Sequence, residues 1–180
     1  ITAWYLTSII HPSGDTLWFD YRMIGTNYKT SISETLFRRN AAYTPTNCLI
    51  DQPQWPILDN SSCVNWLRTN SAFLEQITST GGAKIKFRYS DRSDMNDSLL
   101  SSVEVYQPDN NIPFKIFDLN YQNSVSTNFG NTYTTSYASL KYRPFLISLV
   151  ERSYDNSLSK SYKFSYNDIN GLPPRLSYAQ

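Results

Sequence analysis

The chain has 180 residues, a formal net charge of +1 and only 17% charged residues. That length allows one domain or two small ones with a real hydrophobic core, and the sparse, balanced charge offers no field to attract nucleic acid or acidic lipid. Aromatic residues reach 15%, with 14 Tyr, and this enrichment in strand formers predicts a mainly β protein.

In chain order, Ile1 starts almost directly on the strand-like Trp4-Tyr5-Leu6. A pattern then occurs four times: Leu-x-x-aliphatic, a polar turn, and Phe/Leu-x-Tyr. The copies run Leu6, Ile9 to Phe19, Tyr21; Leu74, Ile77 to Phe87, Tyr89; Leu100, Val103 to Leu119, Tyr121; and Leu146, Leu149 to Phe164, Tyr166. Repetition of a hairpin-sized unit predicts a scaffold built by adding strands. The hairpins are placed at about residues 4–22, 74–90, 100–121 and 146–166.

The first hairpin turns at Pro12-Ser13-Gly14-Asp15, where Pro presets φ and Gly permits a positive one. The single histidine, His11, precedes that turn. As a catalytic base it would need a nucleophile and an orienting carboxylate. No such trio is suggested, so it reads as a solvated turn residue.

Residues 23–72 break the rhythm and read as a long insertion packed against the sheet, with some helix around Val64 to Gln76. This stretch holds Cys48, Cys63, Trp55 and Trp66. The cysteines can form a disulfide, which would suit an exported protein, or stand as two free thiols. The second hairpin turns at Thr80-Gly81-Gly82-Ala83. After it, Asp91, Asp94 and Asp97 recur at three-residue intervals, as a cation loop could, but without the Gly and distal Glu of an EF-hand. A solvated connector with local Asx turns is the favoured reading. The third hairpin turns at Gln107-Pro108-Asp109-Asn110-Asn111. Residues 122–137 follow as a long loop or edge hairpin. The fourth hairpin turns around Asp155-Asn156-Ser157. The final run, Leu172 to Tyr178, stops without a turn or cap, so both ends look cut from something longer.

The closing strands alternate. Leu17, Phe19 and Tyr21 share one face, as do Ile85, Phe87 and Tyr89, and Tyr162, Phe164 and Tyr166. The leading strands do not: Leu6 and Ile9, three apart, fall on opposite faces unless a bulge intervenes.

Trp4-Tyr5-Leu6-Thr7-Ser8-Ile9, a Gly-centred turn and Phe19-Asp20-Tyr21 resemble the RHS/YD-repeat-like proteins exported by Bacteroidetes. Tyr162-Lys163-Phe164-Ser165-Tyr166 and Leu172-Pro173-Pro174-Arg175-Leu176-Ser177 extend the resemblance over most of the chain outside 23–72. It implies tandem hairpins in a very large secreted or cell-surface protein used for adhesion, toxin encapsulation or envelope scaffolding. The chain departs from the strict pattern, because its closing tyrosines are followed by Arg22, Ser90, Gln122 and Asn167, never by Asp. That departure counts against a closed spiral cage more than against a meander. Asp15-Thr16-Leu17 and Asp97-Ser98-Leu99 are similar to the O-glycosylation acceptor of such proteins.

Asp15, Asp20, Glu75 and Glu104 are the carboxylates a glycosidase pair would draw on, but no spacing pairs them. Neither a phosphate-cradling Gly loop nor a Cys/His metal cluster is present, and no cofactor is expected. The fold expected is a twisted antiparallel meander of consecutive hairpins. The function expected is a non-enzymatic structural or adhesive segment of an exported protein, periplasmic, cell-surface or secreted. Its partners would be neighbouring repeats of the same longer chain, or a surface glycan or protein. The alternative is a carbohydrate-binding module using Trp18, Trp55 or Trp66 as stacking platforms. The bland reading of those tryptophans is that they fill a core.

Overall fold

The computed structural model describes residues 3–35, 61–126 and 138–175. Their strands form one antiparallel sheet of eight, in sequence order: β1 (Ser8–Ile10), β2 (Thr16–Thr35), β3 (Ser61–Ser79), β4 (Lys84–Asp91), β5 (Ser98–Tyr106), β6 (Lys115–Val125), β7 (Tyr142–Arg152) and β8 (Ser159–Lys163). Each strand pairs with the next in sequence, and β1 and β8 are the two edges. The sheet is therefore an open meander of hairpins, as the repeats predict, and not a barrel. A short 3-10 helix, Ala138–Lys141, precedes β7.

Two compact units divide the chain, one of Ile1–Tyr28 with Arg68–Gln180 and one of Lys29–Leu67. In the smaller unit the outer halves of β2 and β3 hold each other through polar side chains. Thr30 Oγ1 donates to the Asn65 carbonyl at 3.2 Å, and Asn65 Nδ2 donates to Ser31 Oγ at 2.7 Å. The helix expected around Val64 to Gln76 is instead part of β3. Asn65, Thr69, Asn70 and Ser71 are weak helix formers, because their side chains compete for backbone groups. Here Asn65, Thr69 and Ser71 serve as cross-strand partners: Thr26 Oγ1 lies 2.7 Å from Thr69 Oγ1 and 3.4 Å from Ser71 Oγ. The long loop or edge hairpin expected over 122–137 is also corrected at its start, since Gln122 to Val125 continue the inner strand β6 against Tyr142 to Phe145 of β7.

The four turns fall where the sequence places them, and each contains one left-handed residue: Gly14 (φ 95°), Gly82 (φ 83°), Asp109 (φ 57°) and Asn156 (φ 60°). Gly, Asp and Asn are the residues that tolerate this conformation at least cost. The first two turns are alike. Gly14 N–H bonds the His11 carbonyl and His11 N–H the Asp15 carbonyl, while Gly82 N–H bonds Ser79 and Ser79 N–H bonds Ala83. This is a tight turn closed by a left-handed residue, which matches the twist of the flanking strands.

All four hairpins share one register. The aliphatic residue three after the leading Leu faces the residue four before the closing Tyr: Ile9↔Leu17, Ile77↔Ile85, Val103↔Phe117 and Leu149↔Tyr162. Differences in repeat length are absorbed at the turn end. Two junctions between successive repeats also share a register. Tyr89 faces Leu100 and Phe87 faces Val103; Tyr121 faces Leu146 and Leu119 faces Leu149. Each junction slips by one residue beside the Tyr, at Arg88/Tyr89 and at Asn120/Tyr121. The extra residue is the one after the leading Leu, Ser101 or Ile147. A bulge therefore resolves the three-residue gap and returns the leading Leu to the apolar face.

That face runs across strands through Ile85, Phe87, Val103, Phe117, Leu119 and Leu149, all half-buried. Among the described residues only Tyr106, Ile116 and Leu140 are buried hydrophobic ones. The opposite face carries cross-strand charge and amide pairs, Lys86↔Glu104 and Asn120↔Ser148. Stability here comes from repeated half-burial and ladder bonds rather than from a dense centre.

Candidate functional site

The repeat boundary is the most regular feature of the chain. Each hairpin's own paired register stops at the same place, two residues after the leading Leu and three before the closing Tyr: Ser8↔Trp18, Gln76↔Lys86, Ser102↔Asp118 and Ser148↔Lys163. Beyond that point the Tyr side chain reaches back across its hairpin. Its hydroxyl donates to the carbonyl of the leading Leu in every copy: Tyr21 to Leu6 at 3.0 Å, Tyr89 to Leu74 at 2.8 Å, Tyr121 to Leu100 at 2.9 Å and Tyr166 to Leu146 at 2.8 Å. The phenol thus satisfies a backbone acceptor past the end of the ladder. One step further out, Phe19 N–H bonds the Thr7 carbonyl and Phe164 N–H the Ile147 carbonyl, which are equivalent atoms of the first and fourth repeats. The residue before the leading Leu packs on the same Tyr ring in three copies: Tyr5 on Tyr21, Phe73 on Tyr89 and Phe145 on Tyr166, with centroids 5.0–5.5 Å apart. That aromatic position was available in the sequence as a fifth element of the repeat.

In the third repeat an open cleft of about 360 Å³ lies between the diverging strands, lined by Arg92, Asp94, Leu99, Leu119, Tyr121 and Pro144. Asp94 is 2% exposed, so the solvated-connector reading fails for it. Arg92 holds it bidentately, with Nε on Oδ1 and Nη2 on Oδ2, both at 2.8 Å. Arg175 adds Nη1 to Oδ2 at 3.3 Å and Nη2 to the Asp94 carbonyl at 2.8 Å. Two fork donors on one carboxylate compensate its burial. Burial pulls the Arg175 pKa below its ordinary value, with Asp94 opposing the shift and Arg92 and Arg143 adding to it.

Residues 167–175 are tied to the ends of β6 and β7. The Val125 N–H donates to Asn170 Oδ1, Ser126 Oγ to the Leu172 carbonyl, Arg143 Nη2 to the Pro173 carbonyl and Arg175 N–H to the Leu140 carbonyl. Ser124 Oγ, Arg143 Nε and Arg175 Nε are buried with no hydrogen-bond partner. No sequence period marks this cluster.

Trp18 does not line that cleft. Trp18, in β2, is 44% exposed, and Trp66, in the smaller unit, is 63% exposed. Neither fills a core. Lys29 Nζ sits 5.2 Å above the Trp66 ring. Trp55 and Cys48 lie outside the described residues, and Cys63 is an exposed free cysteine.

His11 belongs to a chain of three exposed side chains. Its Nδ1 is 2.7 Å from Ser13 Oγ, which donates to Asp15 Oδ2 at 2.9 Å. Here the serine, not the histidine, bonds the carboxylate, which inverts the order a nucleophilic triad needs. Asp20 and Glu75 are exposed and lie on different hairpins. Glu104 is committed to Arg88 and Tyr106; burial raises its pKa, but those hydrogen bonds outweigh it and hold the carboxyl below its ordinary value.

No group of three or more metal-ligating side chains occurs among the described residues, and no helix there is long and apolar enough to cross a membrane. No protein-family model, curated protein or solved structure matches the chain.

Proposed function

We propose that this chain is a non-enzymatic structural or adhesive β-repeat segment of a large exported or cell-surface bacterial protein, related in plan to the RHS/YD repeats. The single observation that supports this reading most is the fourfold recurrence of the Tyr-to-Leu hydrogen bond. A catalytic site needs one unrepeated constellation, whereas a scaffold gains from a joint that can be copied. The side chains best suited to chemistry are instead spent on holding the chain together, as Asp94, Arg92 and Arg175 are.

The test is protease shaving of intact source cells, followed by mass spectrometry. Recovery of peptides from residues 61–126 within a much longer polypeptide supports the reading. Recovery only after lysis, from a protein of this length alone, ends it.

Carbohydrate binding is the second reading, favoured by the exposed rings of Trp18 and Trp66. A glycan panel read by tryptophan fluorescence tests it. A sugar that protects emission from acrylamide, and loses that effect in Trp66→Ala or Trp18→Ala, supports stacking. Equal quenching with and without every sugar removes it.

A further inference from the structure

The two edges of the sheet are complementary halves of the junction already formed twice inside it. At each internal junction the closing strand presents Tyr and, two residues earlier, Phe or Leu. The next repeat sets its leading Leu against the Tyr and its aliphatic residue against the Phe or Leu. Edge strand β8 runs on into Phe164 and Tyr166, which are 42% and 46% exposed. Edge strand β1 follows Leu6, and Leu6 and Ile9 are 53% and 47% exposed. Their counterparts within the sheet, Phe87, Tyr89, Leu100 and Val103, are half-buried. After Tyr166 the chain leaves the edge, because Asn170 and Leu172 bond Val125 and Ser126 near the end of β6.

We infer that β8 of one molecule receives β1 of a second copy in the internal register, with Tyr166 facing Leu6, Ser165 facing Ser8 and Phe164 facing Ile9. This rests on the repeat-scaffold reading above: a second copy of the chain takes the place that reading gives to a neighbouring repeat at each edge. Three features fit. The Thr7 carbonyl already accepts Phe19 N–H, as the bulge residue Ile147 accepts Phe164 N–H, so the incoming strand needs no rearrangement there. Ser8 opposite Ser165 repeats the small polar pairing of Ser148 with Asn120, whose Nδ2 donates to Ser148 Oγ at 3.0 Å. Residues 3–10 carry no charge, whereas β8 carries Lys160 and Lys163. Those lysines repel a second β8 but not β1, so they favour β1 over a second β8 as the strand that β8 receives. A head-to-tail contact between identical chains propagates beyond the dimer, into a filament or, where the rotation per copy closes, a ring.

The test uses the full chain with Cys48→Ser and Cys63→Ser, which removes native thiols. Into it go Ser8→Cys and Ser165→Cys, placed directly opposite at a distance a disulfide spans. A control carries Ser8→Cys and Ser161→Cys, four residues out of register. Mild oxidation is expected to convert the first variant into a ladder of covalent oligomers and to leave the control monomeric, with Leu6→Asp abolishing the ladder. Equal crosslinking of both variants, dimers without higher oligomers, or monomers at every concentration overturns the inference. A monomer that still meets the shaving test above sinks the edge pairing alone and leaves the scaffold reading standing.

Discussion

Replacing Tyr89 or Tyr121 with Phe removes one oxygen and leaves the ring packing in place. The carbonyl of Leu74 or Leu100 then loses its phenolic donor in a part-buried position. Leaving such an acceptor unpaired costs about 1–3 kcal/mol. At the outer copies, Tyr21 and Tyr166, the bond is exposed and water can replace it, so Phe there costs a few tenths of a kcal/mol to roughly 1 kcal/mol. Urea unfolding of the four single variants measures the gradient, and equal costs at inner and outer positions contradict it. The same bonds carry a pH dependence. Burial raises the pKa of Tyr89 and Tyr121 above the ordinary 10.0, slightly opposed by Arg22 at Tyr89. A phenol whose folded pKa is raised contributes stability that is fully present below the unfolded value and is lost as pH rises through the folded one. Stability should therefore fall above about pH 10. The fall should be shallower in the Tyr89→Phe/Tyr121→Phe double variant. Thermal melts across that range, with phenolate absorbance as the second signal, check both points.

At the scale of elements, the turns and the repeat ends were legible, and the reason is chemical. A left-handed turn position tolerates few residue types, and Gly14, Gly82, Asp109 and Asn156 are among them. Only a phenol combines a packing ring with a hydroxyl long enough to cross a hairpin, so Tyr recurs where the bond is made. The bulges were legible as one way to close the three-residue gap of the leading strands, but not in their positions. They sit at Ser101 and Ile147, which share no side-chain property, because a bulge is an event of the backbone ladder. The strand over Val64 to Gln76 was missed for a related reason: its pairing with β2 is set by cross-strand hydroxyls, which leave no simple period. Turn conformation yields a direct test. At Gly82 an added Cβ would meet only Pro108, its Cβ at 3.5 Å and its Cα at 3.7 Å, both ordinary contacts. The cost of Gly82→Ala is then conformational, about 1 kcal/mol. Asn156→Gly, by contrast, gives up only the exposed hydrogen bond from Arg152 Nη1 at 3.3 Å and should be near neutral, since Asn already tolerates its φ of 60°. Denaturant midpoints for the two variants separate conformational strain from contact loss.

Within the larger unit, the hairpins alone do not explain how the last described residues are joined to the connector after β4. Asp94 follows β4, Arg175 is the last described residue, and among the described residues the link between them is the side-chain contact that spans most sequence. It was invisible in the sequence because single charged residues far apart carry no pattern. With its carboxylate 1% exposed, Asp94 is tolerable only while both guanidiniums hold it. Asp94→Ala leaves Arg175 part-buried without its counter-charge and Arg92 with only Asp97, at 3.8 Å, and breaking such a pair costs about 3–5 kcal/mol. Adding Arg175→Met removes one of the stranded charges, so the double variant should regain part of that loss. A purely packing role for Asp94 predicts additive costs instead. The location of the damage is equally specific. Val125 and Ser126 amides are protected by Asn170 and by Lys141, beside the anchored segment, whereas the Phe114 amide bonds Val105 at the opposite end of β6. Hydrogen exchange of Arg175→Gln should therefore rise at Val125, and less at Ser126, while Phe114 keeps its native rate. A uniform rise across all three would mean that residues 167–175 support the whole sheet cooperatively, and that the anchor is part of the scaffold's global stability rather than a local tie.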